Sequence, residues 1–137
     1  MTSYVNQMIT DIWIGESCRE EEILGPAMHD VKAAILALDA EAKTMVSLYG
    51  DTDAYIMIGG GSGQYVVYVS PCPDVFWSLL ATGKNSEIVF INIGGQVGDF
   101  RAKHVLSLHE TLQAAQSFFN TSEMDLSLHW EERHGSQ

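Results

Sequence analysis

Residues 56–69, IMIGGGSGQYVVYV, hold a glycine-rich run, Gly59 to Gly63, of the kind that can cradle a phosphate. A phosphate-binding loop passes directly into a helix, whose free N–H groups hold the anion. Here β-branched and aromatic residues follow instead, Gln64 to Val69, and no Gly-Lys-Ser/Thr is present. The run therefore reads as a hairpin connection in which glycine supplies positive φ between two strands. A second cluster, Gly94-Gly95-Gln96-Val97-Gly98-Asp99, runs into FRAKHVLSL rather than a helix. It reads as a bend or bulged turn leaving the sheet.

Metal and nucleophile chemistry fare no better. A zinc deaminase requires His-x-Glu followed by Pro-Cys-x-x-Cys. His129-Trp130-Glu131 meets the first part, but Pro71-Cys72-Pro73 lacks the second cysteine and precedes it in the chain. His104 and His109 straddle a strand-to-helix junction, and His29, His129 and His134 show no ligand spacing such as His-x-x-x-His. Cys72 has no histidine near it in sequence to activate it. The carboxylate pairs Asp51/Asp53 and Glu131/Glu132 have nothing to separate an acid from a base. The expectation is a protein without catalytic residues, metal or cofactor.

The elements that position these residues follow from periodicity. Residues 4–14, YVNQMITDIWI, read as a strand, and residues 15–26, GESCREEEILGP, as a charged loop. Val31, Ile35 and Leu38 line one face of a helix, with Pro26 near its first turn. Then TMVSLYG, AYIMIG, QYVVYVS, VFWSLLA and EIVFINIGG are short β-branched and aromatic runs. The turns between them, including Thr82-Gly83-Lys84-Asn85, are too short for parallel crossovers, so an antiparallel meander is expected. The stretch GGQVGDFRA reads as a loop and KHVLSL as a short strand. Ser107 and Glu110 form a capping box ahead of a helix whose face is Leu108, Leu112, Ala115 and Phe119. Met124, Leu126, Leu128 and Trp130 alternate as a last strand or extended segment. The expected class is α+β: one domain over residues 1–137, an antiparallel meander of about six to seven strands with two helices packed on it.

Composition narrows the partner. The 137 residues carry 18 acidic against 7 basic side chains, a formal net charge of −11, and 46% are apolar. Such a field repels nucleic acid and anionic membranes and attracts basic partners. The amino terminus has neither the basic start nor the apolar run of a signal peptide, and two dissimilar cysteines suit reduced thiols, so a cytoplasmic location is expected. Between Lys43 and Lys84 no lysine or arginine occurs, and the only charges are Asp51, Asp53 and Asp74. That pattern suits docking against a basic cleft and equally suits a buried sheet. Trp13, Trp77 and Trp130 all fall within apolar alternation, as core residues or as partner-gripping side chains.

The order of features adds a resemblance. A helix with VKAAILALDA, then IMIGGGSGQYVVYV, EIVFINIGGQVGDF, LHETLQAAQSFF and LSLHWEE, resembles the deaminase-associated immunity proteins of bacterial polymorphic toxin systems, the first of the numbered immunity families. The likeness rests on Gly59 to Gly63, Gly94-Gly95, Ala114-Ala115 and Trp130-Glu131, and spans residues 28–132; residues 15–26 have no counterpart in it. It implies a non-enzymatic, cytoplasmic protein that binds and blocks a cognate toxin domain, often one attacking nucleic acid.

Physical reasoning agrees with that class. A nucleic-acid-attacking toxin carries a basic groove, which surplus carboxylates can fill. Residues combining acid with aromatic character near loops are the expected contact: Asp74, Trp77, Asp99, Phe100, Trp130, Glu131 and Glu132. The expected partner is a basic toxin domain bound by a monomer, without direct nucleic-acid or membrane contact. The alternatives are an assembly or adaptor subunit, which would present a large apolar patch, and a small-molecule enzyme with a cleft of titratable groups.

Overall fold

The computed structural model describes residues 4–81 and 87–134. Strands β1 (Gln7–Ile14) and β2 (Ser17–Leu24) precede helix α1 (Met28–Leu36). Four strands follow: β3 (Met45–Tyr49), β4 (Tyr55–Gly61), β5 (Gln64–Cys72) and β6 (Val75–Leu80). A hairpin of β7 (Ile88–Ile93) and β8 (Gln96–Arg101) leads to a short 3-10 turn, helix α2 (Leu108–Thr121) and strand β9 (His129–His134). The class is α+β. Seven antiparallel strands lie in the order β2-β1-β3-β4-β5-β6-β9, and β7-β8 form a separate two-stranded sheet.

Strand parity sets the core. Cross-strand partners share a face, and the pairs Met8–Leu48, Val46–Ile58, Leu48–Ile56, Ile58–Val67 and Ile56–Val69 bury their side chains on the helix side. Against them α1 presents Val31 and Ile35, and α2 presents Ala114, Ala115, Phe118 and Phe119. Each large side chain buried in this way contributes about 1.5–3 kcal/mol. The expected capping box starts α2: Ser107 Oγ accepts from the Glu110 N–H at 3.2 Å, and Glu110 Oε1 accepts from the Ser107 N–H at 3.0 Å.

Four sequence expectations need correction. Residues 17–24 are not loop but the edge strand β2, joined to β1 by a two-residue turn in which Gly15 has φ 63°. Every β2 side chain is exposed, so no apolar alternation marks the strand. The run around residues 88–93 does not extend the meander; among the described residues it pairs only with β8, which replaces the expected loop after Gly94-Gly95. Those glycines have φ 65° and 81°, the two positive values a type I′ hairpin turn needs. The segment KHVLSL is a 3-10 turn at Ala102–His104 and a single bridge between Leu106 and Tyr65, because it sends Val105 into one buried cluster and Leu106 into the main core instead of joining a ladder. The expected Thr82-Gly83-Lys84-Asn85 turn lies outside the described residues.

The hairpin lies across the sheet face opposite the helices. Val66, Ile91 and Val105 form a second buried cluster, with Tyr68, Val89, Ile93 and Phe100 packed on it. Gly59 leaves room for Ile93, whose nearest atom would stand 2.8 Å from an added Cβ. A polar clasp fixes the hairpin tip. Asp11, only 6% exposed, accepts from the N–H groups of Thr44 at 2.8 Å and Met45 at 2.9 Å through Oδ1. Its Oδ2 accepts from the Thr44 hydroxyl and, at 2.8 Å, from the Trp13 indole N–H. Thr44 Oγ1 in turn accepts from the Gly94 N–H at 2.9 Å. Gly95 seats directly on the Trp13 ring, where a Cβ would lie 2.5 Å from the indole.

A buried carboxylate with four donors is costly to remove, since the donors lose their partner without regaining water. Asp11→Ala should therefore lower unfolding stability by about 2–4 kcal/mol. Urea denaturation measures this, and a loss below about 0.5 kcal/mol would show that the clasp is not structural.

Candidate functional site

The strand parity that does not meet the helices carries an unusual set of side chains. Met45 and Tyr49 on β3, Tyr55 and Met57 on β4, Tyr68 on β5 and Phe76 on β6 line one concavity of about 450 Å³, with Ser47 beneath. All six are half-buried. The β7–β8 hairpin covers the neighbouring part of this face at Gly59 and Val66, so the concavity begins where the hairpin ends. Tyrosine, methionine and phenylalanine offer large contact area with little lost conformational freedom for the rings, and tyrosine adds a hydrogen-bonding tip. This is an arrangement for gripping another surface.

Local interactions hold the floor in place. The Tyr49 and Tyr55 rings stand 5.6 Å apart, tilted by 31°. Burial, then the neighbouring Tyr49, raise the Tyr55 phenol above its ordinary 10, against the lowering effect of Ser70. It remains a neutral hydroxyl at physiological pH, able both to donate and to accept. The Arg133 guanidinium lies 5.8 Å from the Tyr68 ring centre, within cation–π range.

The rim at one end of the floor is acidic. The β3–β4 loop and the β5–β6 turn lie at the same end of the antiparallel sheet, and they carry Asp51, Asp53 and Asp74, all exposed. Asp51 accepts from Asn6 Nδ2 at 2.6 Å, and the Tyr4 hydroxyl donates to Ala54 O at 2.9 Å, which pins the loop. Asp74 sits at φ 67° in the turn.

The structure separates the seven residues chosen from sequence. Asp74 lies on the rim. Glu131 pairs with Ser78 and shares the open face with Tyr68. Trp77, Trp130 and Glu132 belong to the opposite, helix-side parity: Trp77 pairs with Val69, Trp130 with Leu79 and Glu132 with Trp77. Trp130 packs against the main core and donates its indole N–H to Asp125 O at 2.9 Å. Phe100 packs on the second cluster. Asp99 points outward from the hairpin beside Phe90, which is 69% exposed. Sequence reasoning passed over Tyr49, Tyr55, Met57, Tyr68 and Phe76. Their signal was present: β3 to β6 are apolar in both parities although helices cover only one.

Among the described residues no group of three or more His, Cys, Asp or Glu is placed to hold a metal ion. Cys18 and Cys72 are free and exposed. A cluster of mixed charge centres on Glu131, which accepts from Lys103 Nζ at 3.1 Å and meets His104 Nε2 at 3.0 Å. The Lys103 hydrogen bond first, and the His104 bond second, hold its carboxyl below the ordinary 4.5. The cluster joins β9 to the 3-10 turn that follows the hairpin.

The family model described as Immunity protein Imm1 matches residues 19–132. The match thus begins within β2, nine residues before residue 28, so residues 19–26 do have a counterpart in the family. No curated protein and no solved structure matches the chain.

A lowered carboxyl contributes stability that is present above its unfolded pKa and is lost as pH falls through the folded value. Glu131→Gln should therefore reduce the urea midpoint at neutral pH, and the gap between the two proteins should close as pH drops below 4.5. A gap that widens in acid would contradict the pairing.

Proposed function

Since the chain belongs to the Imm1 immunity protein family, and so neutralises a cognate toxin, we propose that the toxin acts on nucleic acid, a deaminase being the type in view, and that the open face of the sheet occludes its active site. The observation that carries this reading is the aromatic and methionine concavity bordered by Asp51, Asp53 and Asp74 on a chain of net charge −11. A toxin that handles nucleic acid must present a basic groove. The acidic rim steers that groove toward the open face and competes with the phosphate backbone, while the ring floor supplies the slow dissociation. The complex is one-to-one, buries on the order of 1,200–2,000 Å², and involves no turnover by the immunity protein. Exposed free thiols at Cys18 and Cys72 suit the reducing cytoplasm, where such a toxin would meet its substrate. Of the residues chosen from sequence, Asp74 and Glu131 belong to this contact; Trp77, Asp99, Phe100, Trp130 and Glu132 lie outside it.

A second reading, assembly subunit, draws on the outer face of the β7–β8 hairpin, where Ile88, Phe90 and Val97 are 50%, 69% and 69% exposed. Sedimentation separates the two. The reading preferred here expects a monomer at micromolar concentration, and a stable dimer lost in Phe90→Ser would favour the other.

Two sets of variants test the toxin contact. Tyr55→Ala and Tyr68→Ala should each weaken toxin binding by about 2 kcal/mol, roughly 30-fold, mainly through faster dissociation. Combined Asp51→Asn, Asp53→Asn and Asp74→Asn should slow association about tenfold at low salt and flatten its salt dependence. Surface plasmon resonance with the purified toxin domain reads both. Wild-type binding by the tyrosine variants would rule out the open face.

A further inference from the structure

A positive charge stands on the face proposed for a basic toxin. Strand parity puts Arg133 there: it pairs with Phe76, which lines the concavity, just as Glu131 pairs with Ser78 and Ser78 with Tyr68. A cation turned toward a basic groove works against association, so its place on this face needs another reason. We infer that Arg133 is a positioning residue of the toxin contact, holding the Tyr68 ring at the border of the concavity. This rests on the open-face reading and names the side chain that orders one part of that face.

The geometry is specific. Strand β6 lies between β9 and β5, so the Arg133 side chain crosses it to reach Tyr68. Ser78 makes the crossing possible. It is the cross-strand partner of both Tyr68 and Glu131, and its small side chain is only 1% exposed. Arg133 Nη1 donates to Ser78 Oγ at 3.5 Å, and the guanidinium carbon stands 5.8 Å from the Tyr68 ring centre. At that distance the π-face of a ring attracts a cation, and a planar guanidinium suits the contact. No carboxylate competes for it. Among the described residues Arg133 makes no ion pair, and Glu131, on the same side of β9, is taken by Lys103 at 3.1 Å and His104 at 3.0 Å.

Tyr68 is where such support matters. It lines the concavity and also packs on the buried cluster of Val66, Ile91 and Val105. That cluster fixes the ring on the hairpin side. On the β6 side its neighbour is Ser78, too small to brace a phenol, and the arginine that reaches over Ser78 supplies the second wall. A ring braced on both sides has less freedom to lose when a partner docks, which slows dissociation.

Arg133 is exposed, so Arg133→Met leaves the core intact. Without toxin, NMR should show the χ1 couplings of Tyr68 moving from those of one rotamer toward an average in this variant, with Tyr49 and Tyr55 unchanged. With the purified toxin domain at low salt, Arg133→Met should associate about twofold faster, because a repelling cation is gone. It should nevertheless dissociate about three- to fivefold faster, because the ring is loosened. In a Tyr68→Ala background the same change should no longer affect dissociation, since it acts through a ring that is absent. Unmoved Tyr68 couplings, an unchanged dissociation rate, or equal acceleration with and without Tyr68 overturns the inference. Wild-type binding by Tyr68→Ala would instead remove the open-face reading itself, with the NMR result on the ring unaffected.

Discussion

The buried carboxylate of Asp11 governs the architecture. Its four donors come from β1, from the start of β3 and from the threonine that carries the Gly94 N–H. Through them it fixes where the β7–β8 hairpin crosses the sheet. Without that anchor the face opposite the helices would be an unbounded plane of tyrosine and methionine. With it, one half of the face is closed over Val66 and Ile91, and the other half becomes a bounded concavity. A single polar network thus bounds the surface proposed for the toxin contact.

The two faces divide stability from the proposed function. The helix face holds the large apolar side chains and both helices, and supplies the burial that keeps the sheet folded. The open face leaves apolar area half-exposed, which favours association. Residue choice limits that hazard: tyrosine brings a polar hydroxyl to the face, and Asp51, Asp53 and Asp74 repel a second acidic copy. The β2 edge is guarded in a similar manner. Glu20, Glu21 and Glu22 stand along an otherwise available strand edge, where charge discourages further pairing.

Much of this was legible in the sequence where one physical signal dominated. Ser107 and Glu110 announced α2, Val31 and Ile35 the buried stripe of α1, and the run Gly59 to Gly63 the β4–β5 hairpin, although its turn is only Ser62-Gly63 and Gly59, Gly60 and Gly61 are paired within β4. The failures share one cause: a strand exposed on both sides, or on its outer side, carries no apolar period. Residues 17–24 are exposed throughout, and β8 turns Val97 and Asp99 to solvent, so both segments read as loops. Similarly, β7 has the composition of a meander strand, yet composition does not state which sheet a strand joins. The residues proposed for the contact were passed over in the sequence because acid beside tryptophan near a loop was given more weight than parity. Trp77 and Trp130 fall on the helix-side parity, whereas apolar side chains in both parities of β3 to β6, with helices enough for one face, marked the open face.

The most direct measurement follows methionine methyl groups. Met45 and Met57 lie on the open face, whereas Met8 is buried in the main core and Met28 and Met124 pack against it from the helix side. In protein carrying ¹³C-methyl methionine, addition of the toxin domain should shift or broaden Met45 and Met57 and leave Met8, Met28 and Met124 in place. Movement of Met28 and Met124 with Met45 and Met57 unchanged would put the toxin on the helix face and contradict the account.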